Sequence, residues 1–201
     1  MKTLHKIIIW LTYSSPVLFL PFFFLTISER REYGKLAGTL ALVLFIITLI
    51  PSMIRRFGLA KEFNLLIKLI LPVRRQFGIL MFVAAFTHYL AMKVIPTLQF
   101  RLPPSLPIYQ AFGLVALIFS FALFITSNNL ATRKLKSNWK RLHRLTYVIG
   151  WLIFGHVLLG GLKSESEISV QAIVIGVVMV LEVASLIKAD EKAIQKALDQ
   201  L

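Results

Sequence analysis

Residues 139–161 have the sequence WKRLHRLTYVIGWLIFGHVLLGG, which begins basic and then stays apolar for about the thickness of a lipid bilayer. This stretch carries two histidines, His143 near its basic end and His156 deep in its apolar part. An imidazole inside lipid is costly unless it has a partner, so intramembrane histidines are candidates for function. Iron bound by imidazole would be a partner of this kind.

The composition of the whole chain agrees with this membrane interpretation. Of 201 residues, 57% are hydrophobic and the mean hydropathy is +0.77, which is typical of integral membrane proteins and leaves no room for a soluble domain. Basic loops on one side of a membrane explain the net charge of +14, so nucleic acid is not expected as a partner. The chain has no cysteine, which excludes disulfides, iron–sulfur clusters and thiolate ligation.

Six apolar segments are long enough to cross a bilayer. The sequence therefore predicts an all-α fold, a polytopic membrane protein with six transmembrane helices in one bundle. We expect a single transmembrane domain, residues 1–201, without an internal repeat. The first segment has no small-residue cleavage site, which favours a retained helix over a signal peptide. The predicted spans are residues 7–27, 36–54, 76–95, 108–126, 142–162 and 168–187.

The connections between these spans are predicted from their charge and proline content. We expect short polar turns, a proline-rich loop, an amphipathic segment lying along the lipid headgroups, a basic loop and a short amphipathic tail. The short polar turns are residues 29–35 and 163–167, and the proline-rich loop is residues 96–107. The amphipathic segment is residues 57–75, the basic loop is residues 127–144 and the amphipathic tail is residues 188–201.

The basic residues are distributed unevenly between the two sides of the predicted bundle. Seventeen Lys and Arg residues fall on the side of the two termini and six on the opposite side. Because cytoplasmic loops carry the excess of positive charge, both termini are predicted to be cytoplasmic. The basic residues between positions 133 and 144 are expected to anchor the inner lipid leaflet, with docking of an acidic partner as the alternative.

His88 and His156 are predicted to lie at one depth. They belong to the third and fifth spans, which the topology makes parallel, and each stands eight residues before the outer end of its span, marked by Pro96 and Ser164. At a rise of about 1.5 Å per residue the two side chains reach the same height. We expect this pair to bind haem iron. Hydrogen bonding of each histidine to a neighbouring helix is the alternative.

His143 marks a second, inner level, about 20 Å from His156 along the helix axis. Thirteen residues separate the two histidines, which leaves them roughly 140° apart on an ideal helix, so one face cannot present both without a bend or a local bulge. An equivalent histidine on the third span would fall at position 74 or 75, where Arg74 and Arg75 stand instead. These arginines are expected to pair with haem propionates or lipid phosphates.

Three roles for His143 follow from this arrangement. It binds a second haem with some other sixth ligand, contacts a quinone, or caps a basic interface. Six glycines are expected to allow helix bending or the close approach of a bulky planar ligand. They are Gly78, Gly113, Gly150, Gly155, Gly160 and Gly161.

The remaining histidine and the aromatic residues of the spans favour simpler interpretations. His5 is expected to be an interfacial residue at the charged amino terminus, and four aromatic residues are expected at the interface or in packing. Glu182, near the cytoplasmic end of the sixth span, is the only carboxylate well inside a span. A transporter would need such groups at the midplane. A transporter and a structural subunit without cofactor are kept as alternatives. The four aromatic residues are Tyr89, Tyr147, Trp139 and Trp151.

Several blocks of the sequence resemble the ferric reductase-like transmembrane family. Within that family the likeness is closest to the haem-binding membrane subunits of bacterial methionine sulfoxide reductase systems, the MsrQ or YedZ type. The similarity covers roughly residues 36–160, and the block Trp-Lys-Arg-Leu-His-Arg-Leu-x-Tyr at 139–147 is its most specific part. The supporting blocks are Leu49-Ile50-Pro51 with Arg55-Arg56, Arg74-Arg75-Gln-Phe-Gly78, Phe82, Phe86, His88-Tyr89 and Thr126-Ser127.

The resemblance implies a six-helix b-type cytochrome in the bacterial inner (plasma) membrane, with His88, His143 and His156 at the haem-binding positions. It implies one haem b, with a second as the alternative. Such subunits pass electrons from quinol, or from a cytosolic flavin reductase, to a periplasmic molybdenum-containing subunit that repairs oxidised methionines. Ferric or other metal reduction is the alternative activity.

Two features of the chain qualify what the resemblance implies. The chain has no glycine-rich dinucleotide fingerprint and no soluble flavin domain, so electrons must enter from a diffusible quinol or a separate protein. It also departs from the family pattern in a short first loop, a proline-rich loop after the third span, and a Gly-Gly end to the fifth span. These departures lie on the outer side, where an acceptor protein would dock.

Overall fold

The computed structural model describes residues 2–15, 17, 26–94, 106–165 and 169–200. Within these ranges the chain is helical and has no strand, which confirms the all-α prediction. A 3₁₀ turn (Leu71–Val73) leads into α4, and a π-helical segment (Leu90–Val94) follows it. The α-helices are α1 (Lys2–Ser14), α2 (Ile27–Phe57), α3 (Asn64–Ile70), α4 (Arg74–Tyr89), α5 (Ile108–Ile125), α6 (Asn129–Leu135), α7 (Ser137–His143), α8 (Leu145–Glu165) and α9 (Val170–Leu198).

Five helical stretches of the described chain are long and apolar enough to cross a membrane. They correspond to the last five predicted spans. The first predicted span, residues 7–27, contains α1, but its continuation through residues 18–25 lies outside the described residues, so it stays a prediction. Most of the proline-rich loop, residues 95–105, lies outside them as well. The five stretches are Glu29–Phe57, Asn64–Lys93, Ile108–Ile125, Ser137–Lys163 and Val170–Gln195.

Apolar residues on these helices face outward as well as inward. Ile118 on α5 is 55% exposed, and Val180 on α9 is 62% exposed. A helix that is hydrophobic on all sides is typical of a membrane span, because lipid covers its outer face. The protein is therefore a multi-pass membrane protein.

The predicted charged turn at residues 29–35 is wrong, because these residues form the first turns of α2. Thr26 caps the helix: its backbone N–H donates to Glu29 Oε2 at 2.7 Å, while its Oγ1 accepts from the Glu29 N–H at 3.4 Å. This reciprocal capping box stabilises a helix start. One turn later, Lys35 Nζ lies 2.7 Å from Glu32 Oε1. Charged residues at a membrane surface thus extend the span instead of ending it.

The predicted basic loop at residues 127–144 is also wrong, since most of it is helical. The Asn128 side chain caps α6 by accepting from the Ala131 N–H at 2.8 Å. Lys136, with φ 47°, separates α6 from α7. Two short helices therefore replace the loop. They were not predicted because each is short and basic, and the spans were located from long apolar segments.

The last two spans are longer than predicted. The α8 helix continues to Glu165, into the predicted polar turn, and α9 continues to Leu198, so the predicted amphipathic tail is the end of one unbroken helix. The segment between residues 57 and 75 contains the short helix α3, and Pro72 lies in the 3₁₀ turn that follows. Its position along the lipid headgroups stays a prediction. Hydrophobicity located the spans but not their ends.

The centre of the bundle is formed where α2, α8 and α9 meet. The α2 helix packs most extensively on α4, α5 on α8, and α9 on both α2 and α8. Five apolar side chains at this centre are no more than 1% exposed. They are Phe45 and Leu49 of α2, Ile149 of α8, and Ile175 and Met179 of α9.

Gly150 allows α8 to approach this core closely, and a larger side chain there is expected to destabilise the fold. A Cβ at Gly150 would clash with Met179 Sδ, lie 2.8 Å from Met179 Cε and lie 3.3 Å from Phe45 Cζ. Because Met179 is itself buried in the core, its movement would disturb the packing around it. Gly150→Val is therefore expected to lower the free energy of unfolding by about 1–3 kcal/mol.

The measurement is denaturant unfolding in detergent micelles, with Gly78→Val as the matched control. A Cβ at Gly78 meets nothing within 4 Å. The control is expected to change the unfolding free energy by no more than about 0.5 kcal/mol. Equal effects of the two substitutions would contradict the close approach at Gly150.

Candidate functional site

Two histidine rings meet between α4 and α8. His88 lies in the last turn of α4 and His156 lies in the middle of α8. Their ring centroids are 6.2 Å apart and their planes make an angle of 78°. The structure thus brings together the two residues that the sequence predicted to share one depth.

Each of these rings is held through Nδ1 by a backbone carbonyl of a neighbouring helix. His88 Nδ1 is 2.8 Å from the Gly34 carbonyl oxygen of α2, and His156 Nδ1 is 2.7 Å from the Tyr109 carbonyl oxygen of α5. A carbonyl oxygen can only accept, so Nδ1 carries the proton in both rings. In the neutral imidazole, Nε2 then keeps its lone pair. This is the arrangement in which histidine binds metals, with the second nitrogen oriented by an outer partner.

The glycines singled out in the sequence have different surroundings. Gly113 of α5 lies directly against the His156 ring. Gly155 packs against Phe112, where a Cβ would lie 2.8 Å from Cδ2, and Gly150 packs against the core. Gly78 faces open space. Among these four, only Gly113 adjoins the histidine pair.

Sequence reasoning missed four features of this site. The carbonyls of Gly34 and Tyr109 carry no side-chain signal, and Gly38 of α2, which lies against the His88 ring, was not singled out. The Tyr109 ring also stacks near His156, with centroids 6.2 Å apart. The one sequence feature that could have indicated these contacts was the pair of glycines near the start of the second span. Gly34 lies in the segment predicted to be a turn, and Gly38 lies just after it.

His143 lies at the inner level, at the end of α7. Its ring stacks on Trp139 with centroids 4.0 Å apart, and Trp139 Nε1 donates to the Thr126 carbonyl oxygen at 3.0 Å. The His143 Nε2 atom is buried and has no hydrogen-bond partner among the described residues. Arg144 interrupts the chain between α7 and α8, so His143 and His156 belong to two separate helices.

The two arginines predicted at the inner level differ in their contacts. Arg74, at the start of α4, donates from Nη1 to Ser52 Oγ at 2.8 Å, and its guanidinium lies in the neighbourhood of His143. Arg75 is exposed. The structure brings Arg74, but not Arg75, towards His143.

A buried ion pair, which the sequence did not predict, joins α2 to α9. Arg56 forms a salt bridge with Glu182, and it also donates from Nε to Ser185 Oγ at 2.8 Å and from Nη1 to Tyr147 Oη at 3.1 Å. Glu182 is 1% exposed, and its Oε2 has no hydrogen-bond partner within the described chain. Tyr147, expected to be an interface aromatic, is part of this cluster. The charge of Glu182 is therefore compensated within the bundle.

The other predicted residues lie apart from the histidine pair or outside the described side chains. Trp151 is 46% exposed and meets Phe154 edge-on. Tyr89 stacks near Phe86, with centroids 6.4 Å apart. The side chain of His5, in α1, lies outside what the structure describes.

Residues 33–154 match the family described as "Ferric reductase like transmembrane component". The matched region covers more than half of the chain, contains His88 and His143, and ends two residues before His156. The chain belongs to this family. Membership agrees with the sequence resemblance and with a multi-pass helical structure, since this ferric reductase-like chain carries its paired histidines inside long apolar helices.

Bacterial relatives of this ferric reductase-like chain carry the printed name "Protein-methionine-sulfoxide reductase heme-binding subunit MsrQ". The Rhizobium meliloti protein is 32% identical over 126 residues, which cover 59% of this chain but only 53% of the relative. The Yersinia enterocolitica protein is 26% identical over 166 residues, covering 76% of this chain and 78% of the relative. The Yersinia pseudotuberculosis (strain IP 31758) protein is 29% identical over 164 residues, covering 76% of each. No solved structure matches the chain.

Proposed function

We propose that this protein is a membrane b-type cytochrome subunit in which His88 and His156 would hold one haem through their ring nitrogens. The observation that carries this proposal is the pair of intramembrane imidazoles, each with its Nδ1 proton committed to a backbone carbonyl and its Nε2 free to bind iron. The heme-binding names of the bacterial relatives support the same cofactor.

The residues present fit haem iron better than a bare metal ion. An imidazole nitrogen binds a first-row metal at about 2.0–2.1 Å, so two imidazoles on opposite sides of one ion have ring centroids roughly 6 Å apart. The measured separation of 6.2 Å agrees with this value. In the described part of the chain, no group of three His, Cys, Asp or Glu residues gathers to hold a metal. A porphyrin would supply the ligands that the protein lacks.

The proposed topology has six spans, with the stretch containing residues 7–27 as the first and both termini in the cytoplasm. The excess of basic residues on the terminal side supports this orientation. It makes the His88–His156 pair the outer level and His143 the inner level. Bacterial relatives support location in the inner membrane, with lipid around the apolar outer face of the helices.

The proposed role is electron transfer across the bilayer. Haem supplies the one-electron chemistry, while the protein sets its ligation, depth and dielectric environment. We infer that electrons enter from a quinol or a separate cytosolic flavin reductase and leave on the outer side, with a periplasmic methionine sulfoxide reductase as the acceptor. The names of the relatives support that acceptor.

Ferric or other metal reduction is the second candidate function, favoured by the description of the family. The transporter alternative loses its main support, because Glu182 is compensated by Arg56 inside the bundle and does not offer a free charge to a substrate. The two electron-transfer candidates share one cofactor and differ only in acceptor. Reduced protein mixed separately with a methionine sulfoxide reductase and with ferric citrate tells them apart by which acceptor reoxidises it.

The absorption spectrum of the purified protein tests the proposal. A Soret band with sharp α and β bands after reduction is the expected result for a haem with two histidine ligands. The pyridine haemochrome assay on the same sample gives the number of haems per chain. Absence of these bands after haem supplementation would overturn the cytochrome proposal.

If the inner level holds a second haem, which is the alternative to one haem per chain, His143→Ala is expected to lower the haem content from two per chain to one. A buried ring nitrogen without a hydrogen-bond partner is costly, and a second haem iron at the inner level would satisfy it. The same assay on His143→Ala and on the unchanged protein makes the measurement. A content of one haem in both would leave the outer site intact and remove the inner haem, with a quinone contact or a capping role remaining for His143.

A further inference from the structure

The two histidines of the site are held by the same arrangement of a backbone carbonyl and a glycine, between α4 and α2 for His88 and between α8 and α5 for His156. Four residues after the carbonyl of Gly34 comes Gly38, and four residues after the carbonyl of Tyr109 comes Gly113. Each glycine lies one helical turn beyond the carbonyl that its histidine contacts, so carbonyl and glycine share one face of the helix. Thus α2 holds the His88 ring and α5 holds the His156 ring in the same way.

Only glycine leaves room for the rings in these positions. A Cβ at Gly38 would lie 2.8 Å from His88 Nδ1 and 3.2 Å from its Cε1 and Cγ. A Cβ at Gly113 would lie 2.8 Å from His156 Nδ1, 3.0 Å from its Cε1 and 3.2 Å from its Cγ. An imidazole is a rigid plane, so it could relieve such contacts only by tilting or turning. Turning the ring would break its Nδ1–H bond to the carbonyl.

We propose that Gly38 and Gly113 are positioning residues that, with the carbonyls of Gly34 and Tyr109, fix the two imidazole planes nearly perpendicular and thereby set the electronic state of the iron bound between them. This inference rests on the proposed function. The measured interplanar angle of 78° is its geometric basis. The glycine surface restrains the tilt of each plane, and the carbonyl restrains rotation about the axis of each ring.

Two properties of the bound iron follow from this geometry. Perpendicular imidazole planes would leave the orbitals of a bound iron that interact with them close in energy, which would give a strongly anisotropic low-spin electron paramagnetic resonance (EPR) signal with a large highest g value. Hydrogen bonds from Nδ1 to carbonyls make Nε2 a stronger donor, which stabilises the ferric state and lowers the midpoint potential. Loss of either restraint reverses both effects.

The experiment compares Gly38→Ala and Gly113→Ala with Gly78→Ala as the matched control. Gly78 lies on α4 with His88, but a Cβ there meets nothing within 4 Å. The full-length protein is purified with haem, and the EPR spectrum of the oxidised form, the midpoint potential and the haem affinity are measured. Gly38→Ala and Gly113→Ala are expected to lower the highest g value, raise the midpoint potential and weaken haem binding about 10–100-fold. Gly78→Ala is expected to match the unchanged protein.

The outcomes separate this inference from the proposed function. If the unchanged protein binds no haem, the cytochrome proposal fails. If it binds haem through two histidines but both glycine variants keep its EPR spectrum and potential, the positioning role alone fails. Where an alanine variant does not fold, the unchanged protein decides: its EPR signal must be strongly anisotropic, and an ordinary rhombic signal from parallel imidazole planes would overturn the inference.

Discussion

Replacing either His88 or His156 by alanine is expected to abolish the low-spin haem spectrum of the outer site. Removing outer-shell partners of a metal ligand already costs about 10–100-fold in affinity, so removal of the ligand itself is expected to lower haem affinity more than about 100-fold. Each variant also loses a hydrogen bond between helices, to the Gly34 or the Tyr109 carbonyl. The absorption spectrum and the haem content per chain measure the effect.

His5→Ala is the matched control for these two variants, because it removes the histidine expected at the interface. It should leave the spectrum and haem content unchanged. His88→Gln and His156→Gln add a test of folding, since they keep a polar side chain of similar length. Full haem content in His88→Ala and His156→Ala together would disprove the axial pair.

Breaking the buried ion pair is expected to give the second large effect, a loss of stability. Glu182→Ala leaves the Arg56 guanidinium, whose side chain is 17% exposed, without its carboxylate partner. An uncompensated charge of this kind costs about 3–5 kcal/mol of unfolding free energy. Denaturant unfolding in detergent micelles, followed by circular dichroism, measures the loss.

Two further variants test whether the loss of stability comes from the buried charge. Glu32→Ala removes the partner of Lys35 in an exposed pair, with side chains 68% and 63% exposed, and should cost no more than about 1 kcal/mol. The double variant Arg56→Met with Glu182→Leu removes both charges and should regain most of the lost stability, because an apolar pair can replace a buried ion pair. Equal losses in Glu182→Ala and Glu32→Ala would contradict a structural role for the buried pair.

The sequence predicted the histidine pair because depth in a membrane can be counted. Eight residues separate His88 from Pro96 and eight separate His156 from Ser164, and the regular rise of a helix turns these counts into equal heights. The ring orientation could not be predicted in this way. It depends on backbone carbonyls of α2 and α5. Every residue has such a carbonyl, so the sequence does not indicate which of them contacts a histidine.

The errors along the chain have a common physical cause. Residues 29–35 and 127–144 were predicted to be turns or loops because they are charged, yet polar residues form helices readily where water or headgroups surround them. Their helix signals were local caps, Thr26 with Glu29 and the side chain of Asn128. Patterns of hydrophobicity identify what lies in lipid but not what continues beyond it.

The buried cluster around Arg56 lay beyond prediction for a different reason. Its members, Arg56, Tyr147, Glu182 and Ser185, come from three helices, of which α2 is far in the sequence from α8 and α9. Each has an ordinary interpretation when taken alone, and only the packing of α2, α8 and α9 brings them together. A single sequence contains no measure of such pairings.

The π-helical segment Leu90–Val94 begins two residues after His88. A π turn accommodates one more residue than an α turn, so this segment can absorb a change in chain length between the part of the helix that carries His88 and its end at Val94. Ala91 within it is fully buried beside Gly34, so packing against α2 fixes the start of this segment. Insertions or deletions beyond Val94 are therefore expected to leave the position of His88 unchanged. Under the proposed function, the surface that meets an acceptor could then vary while the histidine pair keeps its position.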